Sequence, residues 1–319
     1  MDPEIAAVAR EFELGVPIKS QHLNGGSASV LKLRTTLGDF VLKQGELERD
    51  LLLYHQVDVA LNAVGVRQAH LFAKPDGRFL SSKAFSVFEF LPGHWNHRPT
   101  NTQAIAFVNH LVAYNRALST IAVPSFVNDL DNVWKKANSV NFVLNRIPKW
   151  LVGLTVSVPA RFEAVSRTII AYWRQHRSDL DDLPNQLVHG DIGPGNILYG
   201  TENAIFIIDF TAYQEPPLYS LCVAFYWHYF YHSHRPRFDR IANDLAIYGS
   251  QQGFSGDEKQ LFPTIFLKVA TTILFVPLLL NLERGLSPLT QEWEKRANIV
   301  DAILSNQSKL GDAIESTGR

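Results

Sequence analysis

The chain has 319 residues and a single cysteine, Cys222. No internal disulfide can form, and one thiol suits a reducing compartment. There is also little excess charge of either sign, with a formal net charge of −1. That balance gives no electrostatic reason to expect nucleic acid or an anionic membrane as partner. Low-complexity tracts, internal repeats and a Gly/Pro-rich linker are missing too. The first residues, MDPEIAAVAREFELG, lack the basic-then-apolar order of a signal peptide and read as an acidic amphipathic helix. The expected location is cytoplasmic. One long apolar run, residues 261–282, approaches a membrane span in length. It carries Lys268, Pro263 and Pro277 and has no flanking anchors, so a buried helix broken near Pro277 is expected. Hydrophobic content of 46% and charge of 19% then describe an ordinary globular protein with enough apolar surface for a sizeable core.

What the chain does have is LVHGDIGPGNILYG, residues 187–200, followed by AIFIIDF, residues 204–210. Two apolar runs flank a loop, and the short turn 200–203 returns a β-branched strand that ends on Asp209. Hairpin geometry brings the end of that strand back beside the loop. Asp191, Asn196 and Asp209 can therefore meet at one point. Two carboxylates and an amide oxygen suit a hard cation such as Mg²⁺, which takes its remaining ligands from water and phosphate.

Asp191 and Asn196 reproduce the D-x-x-x-x-N spacing of a kinase catalytic loop, and Asp209 stands at the position of the second, metal-holding Asp. With its HGD opening, the chain resembles the superfamily of aminoglycoside phosphotransferases, choline kinases and homoserine kinases. The resemblance implies an α+β, two-lobe protein-kinase-like fold with an antiparallel-sheet N-lobe and a larger, mainly helical C-lobe. It also implies ATP and Mg²⁺ as cofactors, with nucleotide in the crevice between the lobes. Asn196 and Asp209 would hold the metal and Lys43 would pair with the phosphates. Asp191 would orient and deprotonate the hydroxyl of a small acceptor, while His189 would pack the loop.

Taken in order, residues 18–33 read as two strands around a turn holding Gly25, Gly26, Ser27 and Ser29. Glycines let a backbone approach phosphate closely, and the serines add donors. A third strand, residues 39–43, ends in Lys43. Residues 45–64 have helical period, with Leu47, Leu51, Tyr54, Val57 and Leu61 on one face. The resemblance implies that an acid at its start pairs with Lys43. Glu46, Glu48 and Asp50 are available, and Glu48 is taken for that role. Two more strands, split by the turn at residues 74–78, end in Glu89–Leu91 before Pro92-Gly93. Glu89 and Leu91 resemble the hinge whose backbone binds adenine. A lobe boundary is therefore placed there, giving residues 1–91 and 92–319. Helices are expected over 102–119, 129–145, 159–175, 218–232, 238–249, 257–282 and 291–310.

Two departures bear on the acceptor. Asp209-Phe210-Thr211 lacks the glycine of DFG, and Glu215-Pro216-Pro217 follows too soon for a peptide-docking segment. A small-molecule acceptor is expected. The family's Tyr-Asp-Leu-Ala reads Tyr219-Ser220-Leu221-Cys222, with Ser220 able to N-cap the next helix. Tyr213, Tyr226, Trp227 and Arg235 are candidates for the acceptor pocket. Between residues 212 and 240 the acids are Glu215 and Asp239, against Arg235, Arg237 and Arg240, which disfavours a polycation. Aromatic rings there could box a quaternary ammonium or stack on a sugar, and an Arg could clamp a carboxylate. His228, His232 and His234 suggest a metal set, with His228 and His232 on one helix face, yet no Cys or acid nearby completes it. The alternative to a kinase of a small hydroxylated metabolite is a kinase-like nucleotide-binding protein without turnover.

Overall fold

The computed structural model describes residues 2–23, 30–153, 158–233, 235–285 and 289–318. Its elements begin with helix α1 (Pro3–Glu11) and strands β1 (Pro17–His22), β2 (Val30–Thr35) and β3 (Gly38–Gln44). Helix α2 (Glu48–Ala63), β4 (Leu71–Phe72) and β5 (Phe85–Glu89) follow. After them come α3 (Asn101–Leu118), α4 (Val133–Asn138), α5 (Val140–Gly153) and α6 (Ala160–His176). Strands β6 (Gln186–His189), β7 (Ile197–Tyr199), β8 (Ile205–Ile207) and β9 (Ala212–Glu215) lead to α7 (Leu218–Phe225) and a π-helix, Tyr226–Tyr231. Helices α8 (Phe238–Gln252), α9 (Gly256–Arg284), α10 (Thr290–Leu304) and α11 (Gln307–Glu315) complete the chain.

The chain divides into two compact units rather than at a single cut after residue 91. One unit is Met1–Asn96 with Arg116–Ile121 and Gly195–Phe210; the other is His97–Asn115, Ala122–Pro194 and Thr211–Arg319. The β7–β8 hairpin joins the first unit because it is apolar on the face that meets it. Leu198 and Phe206 are buried with Leu51, Tyr54, Leu71, Phe88 and Leu91. The Pro-Gly pair after β5 makes this approach possible. A Cβ on Gly93 would stand 2.9 Å from Leu198 Cβ, and the next residue, His94, bridges to Tyr199.

The first unit is built on a five-stranded antiparallel sheet in the order β1-β2-β3-β5-β4. Period-two alternation places Leu31 and Leu33 of β2, and Phe40 and Leu42 of β3, in one buried cluster. Helix α1 covers it with Ile5, Val8, Ala9 and Phe12. That helix starts where sequence says it should. Asp2 accepts a hydrogen bond from the Glu4 amide at 2.8 Å, and Pro3 occupies the first turn.

The second unit is mainly helical, and α9 runs through its core. Ser255 and Glu258 form a reciprocal capping box at its start, and Gly285 closes it in the left-handed region. Its length and composition would allow it to cross a membrane, but 78% of the most apolar window is buried within the protein. Lys268 on the same helix bonds both oxygens of the buried Glu215, at 2.6 and 2.8 Å. The expected break at Pro277 does not occur. Proline removes the amide that would meet the Ile273 carbonyl, and Arg296 Nη1 donates to that carbonyl instead, at 2.8 Å. Two other expectations change in the opposite sense. The helix expected over 129–145 is two, α4 and α5, parted at Ser139, and that over 291–310 is α10 and α11, parted at Ser305–Asn306.

Arg296→Met should therefore destabilise the protein by about 1–3 kcal/mol by orphaning a buried carbonyl. In a Pro277→Ala background the amide returns, and urea denaturation should show a loss smaller by about 1 kcal/mol. A second test concerns Asp244 in α8. It is buried, and burial pushes its carboxyl up to about 6, against the Tyr229 hydroxyl and Arg240, which favour the anion. A raised carboxyl favours folding below its unfolded value, and that contribution fades as pH rises through about 6. Asp244→Asn should thus gain about 1–3 kcal/mol over wild type at pH 8 and lose the advantage near pH 4 in melts across that range.

Candidate active site

Candidate residues occur in each of the two units, and each set has its own local support. In the first unit Lys43 sits at the end of β3, one residue past Leu42 and so on the opposite face of the sheet from the α1-covered core. Its ammonium lies 2.5 Å from Asp209 Oδ1 and 2.9 Å from Glu46 Oε1. Burial alone would lower its pKa, but the charges of Asp209 and Glu46 outweigh it and hold the ammonium above its ordinary value. Asp209 follows β8 in the left-handed region, at φ 59°, which a short polar side chain tolerates better than most. The Ile208 amide donates to the Asn196 carbonyl at 2.9 Å, so Asn196 and Asp209 share one end of the β7–β8 hairpin. One carboxylate and one amide oxygen at the end of a hairpin form a donor set for a hard divalent ion that keeps further oxygens from phosphate and water. No group of three His, Cys, Asp or Glu able to hold a metal occurs among the described residues.

The acid beside Lys43 is Glu46, not Glu48. Helix α2 begins at Glu48, so Glu46 lies in the preceding turn, three residues from Lys43 and within its reach. Glu48 instead accepts the Phe79 amide at 2.9 Å and closes a loop of the same unit. Glu89 is a strand residue with its groups in use. Its amide donates to the His70 carbonyl at 2.8 Å, and its carboxylate pairs with Arg67. Leu91 is buried in the cluster that receives the β7–β8 hairpin. Gly25, Gly26, Ser27 and Ser29 lie outside the described residues.

In the second unit β6 pairs with β9, with His189 opposite Ala212, and the Gly190 amide continues the ladder to the Thr211 carbonyl at 2.8 Å. Asp191 follows directly. His189 is fully buried, and its Nδ1 accepts the Asp191 amide at 3.1 Å, which places the imidazole proton on Nε2. Gly190 cannot be larger, because a Cβ would come within 2.6 Å of the Tyr213 ring. Ser220 is not a helix cap. Pro217 holds that position, and the Ser220 hydroxyl, in the first turn of α7, donates to the His189 carbonyl at 2.9 Å. The strand end that presents Asp191 is thus held from three sides.

The acceptor candidates separate. Tyr213 packs beneath Gly190, and burial first and the Asp191 charge second push its phenol pKa well up. Tyr226 is fully buried, and its hydroxyl has no hydrogen-bond partner among the described residues. Trp227 lies against the loop itself, at the distance where a Cβ on Gly193 would stand 3.3 Å from its indole. Arg235 is exposed beyond the π-helix, and its carbonyl accepts the Ser233 hydroxyl. His228 is buried and pushed down to about 4, chiefly by burial. Sequence reasoning missed Glu46 as partner and the role of Ser220. A helix start read three residues later would have pointed to Glu46; nothing local pointed to Ser220.

A strand lysine fixed between two acids, and an Asp–Asn loop that leads into a hairpin ending in Asp, define a phosphotransferase of the protein-kinase-like class. The sequence profile of the phosphotransferase enzyme family matches residues 20–250, and the chain belongs to that family. No curated protein matches it by sequence. Among solved structures it resembles an amicoumacin kinase in complex with AMP-PNP, Ca²⁺ and Ami, at 15% identity and TM-score 0.66, covering 96% of this chain and 94% of that one. It also resembles aminoglycoside 2'-phosphotransferase-IIIa in its GDP complex, at 14% identity, TM-score 0.61 and coverage of 95% and 98%. Choline kinase from Streptococcus pneumoniae follows at 13% identity, TM-score 0.59 and coverage of 95% and 100%. At these identities the likeness is one of fold.

Glu46→Gln should weaken AMP-PNP binding and Lys43→Met should weaken it by about tenfold or more, about 1.4 kcal/mol, whereas Glu48→Gln should leave it unchanged. Calorimetric titration of the three variants checks the assignment.

Proposed function

We propose that the protein transfers the γ-phosphoryl group of ATP, with Mg²⁺, to a hydroxyl of a small metabolite, and that it acts in the cytoplasm. The observation that carries this reading is the half-buried Lys43 ammonium gripped by Asp209 and Glu46, at the hairpin end where Asn196 also stands. Lys43 would pair with phosphate oxygens, and Asn196 and Asp209 would be the protein's metal ligands. Bound Mg²⁺ would supply neutralisation of the phosphate charge.

Asp191 is the residue proposed to meet the acceptor. Its carboxylate accepts a hydrogen bond from the acceptor hydroxyl and holds the oxygen in line with the γ-phosphorus. As the new O–P bond forms and the bond to ADP breaks, the hydroxyl proton passes to Asp191 and then to solvent. A carboxylate of ordinary basicity suffices, because in a loose transition state the proton leaves late. Its orientation is supported by the His189–Asp191 amide bond, the Ser220–His189 bond and the packing of Tyr213 against Gly190.

Asp191→Asn should keep AMP-PNP affinity within about twofold and lower turnover by about 100-fold or more, because it keeps the shape and removes the proton acceptor. ADP release across amino alcohols, aminosugars, sugars and hydroxy acids provides the assay. Unchanged turnover would remove Asp191 from the role. A nucleotide-induced melting shift without turnover on any acceptor would favour a nucleotide-binding protein that does no chemistry.

A further inference from the structure

Beside the Gly193 turn the second unit assembles an aromatic cluster. Trp227 faces the glycine, and Tyr231 meets Trp227 edge to face at 4.7 Å. His232 is 6.2 Å from Trp227 and stacks on His97 at 4.6 Å. Such rings could in principle receive an ammonium group. Here their electron-rich faces already carry the protein's own cations. Lys295 Nζ lies 3.7 Å from the Tyr231 ring centre, and the Arg296 guanidinium lies 5.9 Å from Tyr231 and 6.0 Å from Trp227. A second cation brought to these faces would meet repulsion instead of a vacant π-surface.

The carboxylate that would answer an amine is in use. Glu292 accepts the Tyr231 hydroxyl and lies 3.9 Å from Arg296 Nε. Lys295 and Arg296 thus flank the rings, with Glu292 bonded to the Tyr231 hydroxyl beside them. The resulting field is felt at His232, whose pKa is pushed down to about 4 by burial first, then by His97, Lys295 and Arg98, with Glu292 opposing. His232 is therefore a neutral stacking surface at pH 7 and adds no charge of its own. Arg296 is fixed by its bond to the Ile273 carbonyl. Lys295 is exposed and forms no ion pair among the described residues, which leaves its ammonium available.

We propose that the acceptor is an anion: a hydroxylated metabolite whose carboxylate or phosphate pairs with Lys295 beside the Trp227–Tyr231 pair. This deepens the kinase reading and rests on it for the chemistry at Asp191. Polycationic aminoglycosides and quaternary amino alcohols are excluded as best acceptors on the same grounds.

The experiment separates the two readings. The full chain, saturated with AMP-PNP and Mg²⁺, is titrated calorimetrically with glucuronate, glucose 6-phosphate, glucose and glucosamine. The same is done with glycerate, glycerol 3-phosphate, glycerol and ethanolamine. Within a scaffold the anion should bind at least about tenfold more tightly than the neutral compound, with the cation weakest. The carboxylate and phosphate arms identify which anion is preferred. Lys295→Glu should abolish the preference and Lys295→Arg should keep it, with AMP-PNP affinity and melting temperature unchanged in both. Lys295→Gln, which removes charge at similar bulk, serves if the reversal disturbs folding. Equal or tighter binding of the neutral or cationic member overturns the inference, as does a preference that survives Lys295→Glu, or absent binding by every anion. ADP release on the same panel tests the other reading. Anion preference without ADP release would refute the kinase and leave the anion site standing. ADP release favouring neutral or cationic acceptors would do the reverse.

Discussion

A half-buried ammonium, that of Lys43, is the constraint around which the first unit is arranged. Removing a lysine charge from water is costly unless opposite charges come with it. Lys43 meets that requirement with Asp209, far along the chain, and Glu46, three residues away. The first of these fixes where the β7–β8 hairpin must lie, and the apolar cluster of Leu198 and Phe206 with Phe88 and Leu91 holds it there. The hairpin in turn sets Asn196 beside the strained backbone of Asp209. Charge pairing and apolar burial thus converge on one arrangement. It is also the arrangement a triphosphate would exploit, since Lys43 can exchange carboxylates for phosphate oxygens at little electrostatic cost.

The residues readable in the sequence are those whose chemistry is written at short range. Asn196 and Asp209 flank a single hairpin, and the turn at residues 200–203 sets them at one end of it. The sheet was legible for a similar reason, because β2 and β3 alternate and Gly38 permits their tight turn. Glu46 was harder to read. Three acids stand near the start of α2, and the choice depends on where the helix begins, which periodicity defines only to within a turn. Glu48 is in the first turn of the helix and serves a loop; Glu46 precedes it and reaches Lys43.

Helix α9 shows a different limit. Proline within a helix predicts a break because it removes a donor and crowds the preceding turn. The cost of the missing donor depends on what else can reach the orphaned carbonyl, and here that is a guanidinium from α10. Nothing in residues 261–282 announces Arg296. The π-helix at Tyr226–Tyr231 is similar: its aromatic run was visible, but which rings face the Gly193 turn was set by partners on α10 and around residue 97.

Net charge misleads for the same reason. A sum of −1 says nothing about the field at any one place, since exposed charges beyond about 8–10 Å are largely screened at physiological salt. What a ligand experiences is the handful of groups within that distance. In the second unit those near Trp227 include Arg296, and Lys295 over Tyr231, with Glu292 tied to a tyrosine hydroxyl among them. Arg296 has two parts in this assembly, as replacement donor for the proline-bearing helix and as a fixed positive charge behind the rings. Its position is thus set by helix integrity, and the cation held near Trp227 follows as a consequence. Lys295, exposed over the Tyr231 ring, has no such structural duty, which makes it the place to test charge preference apart from folding.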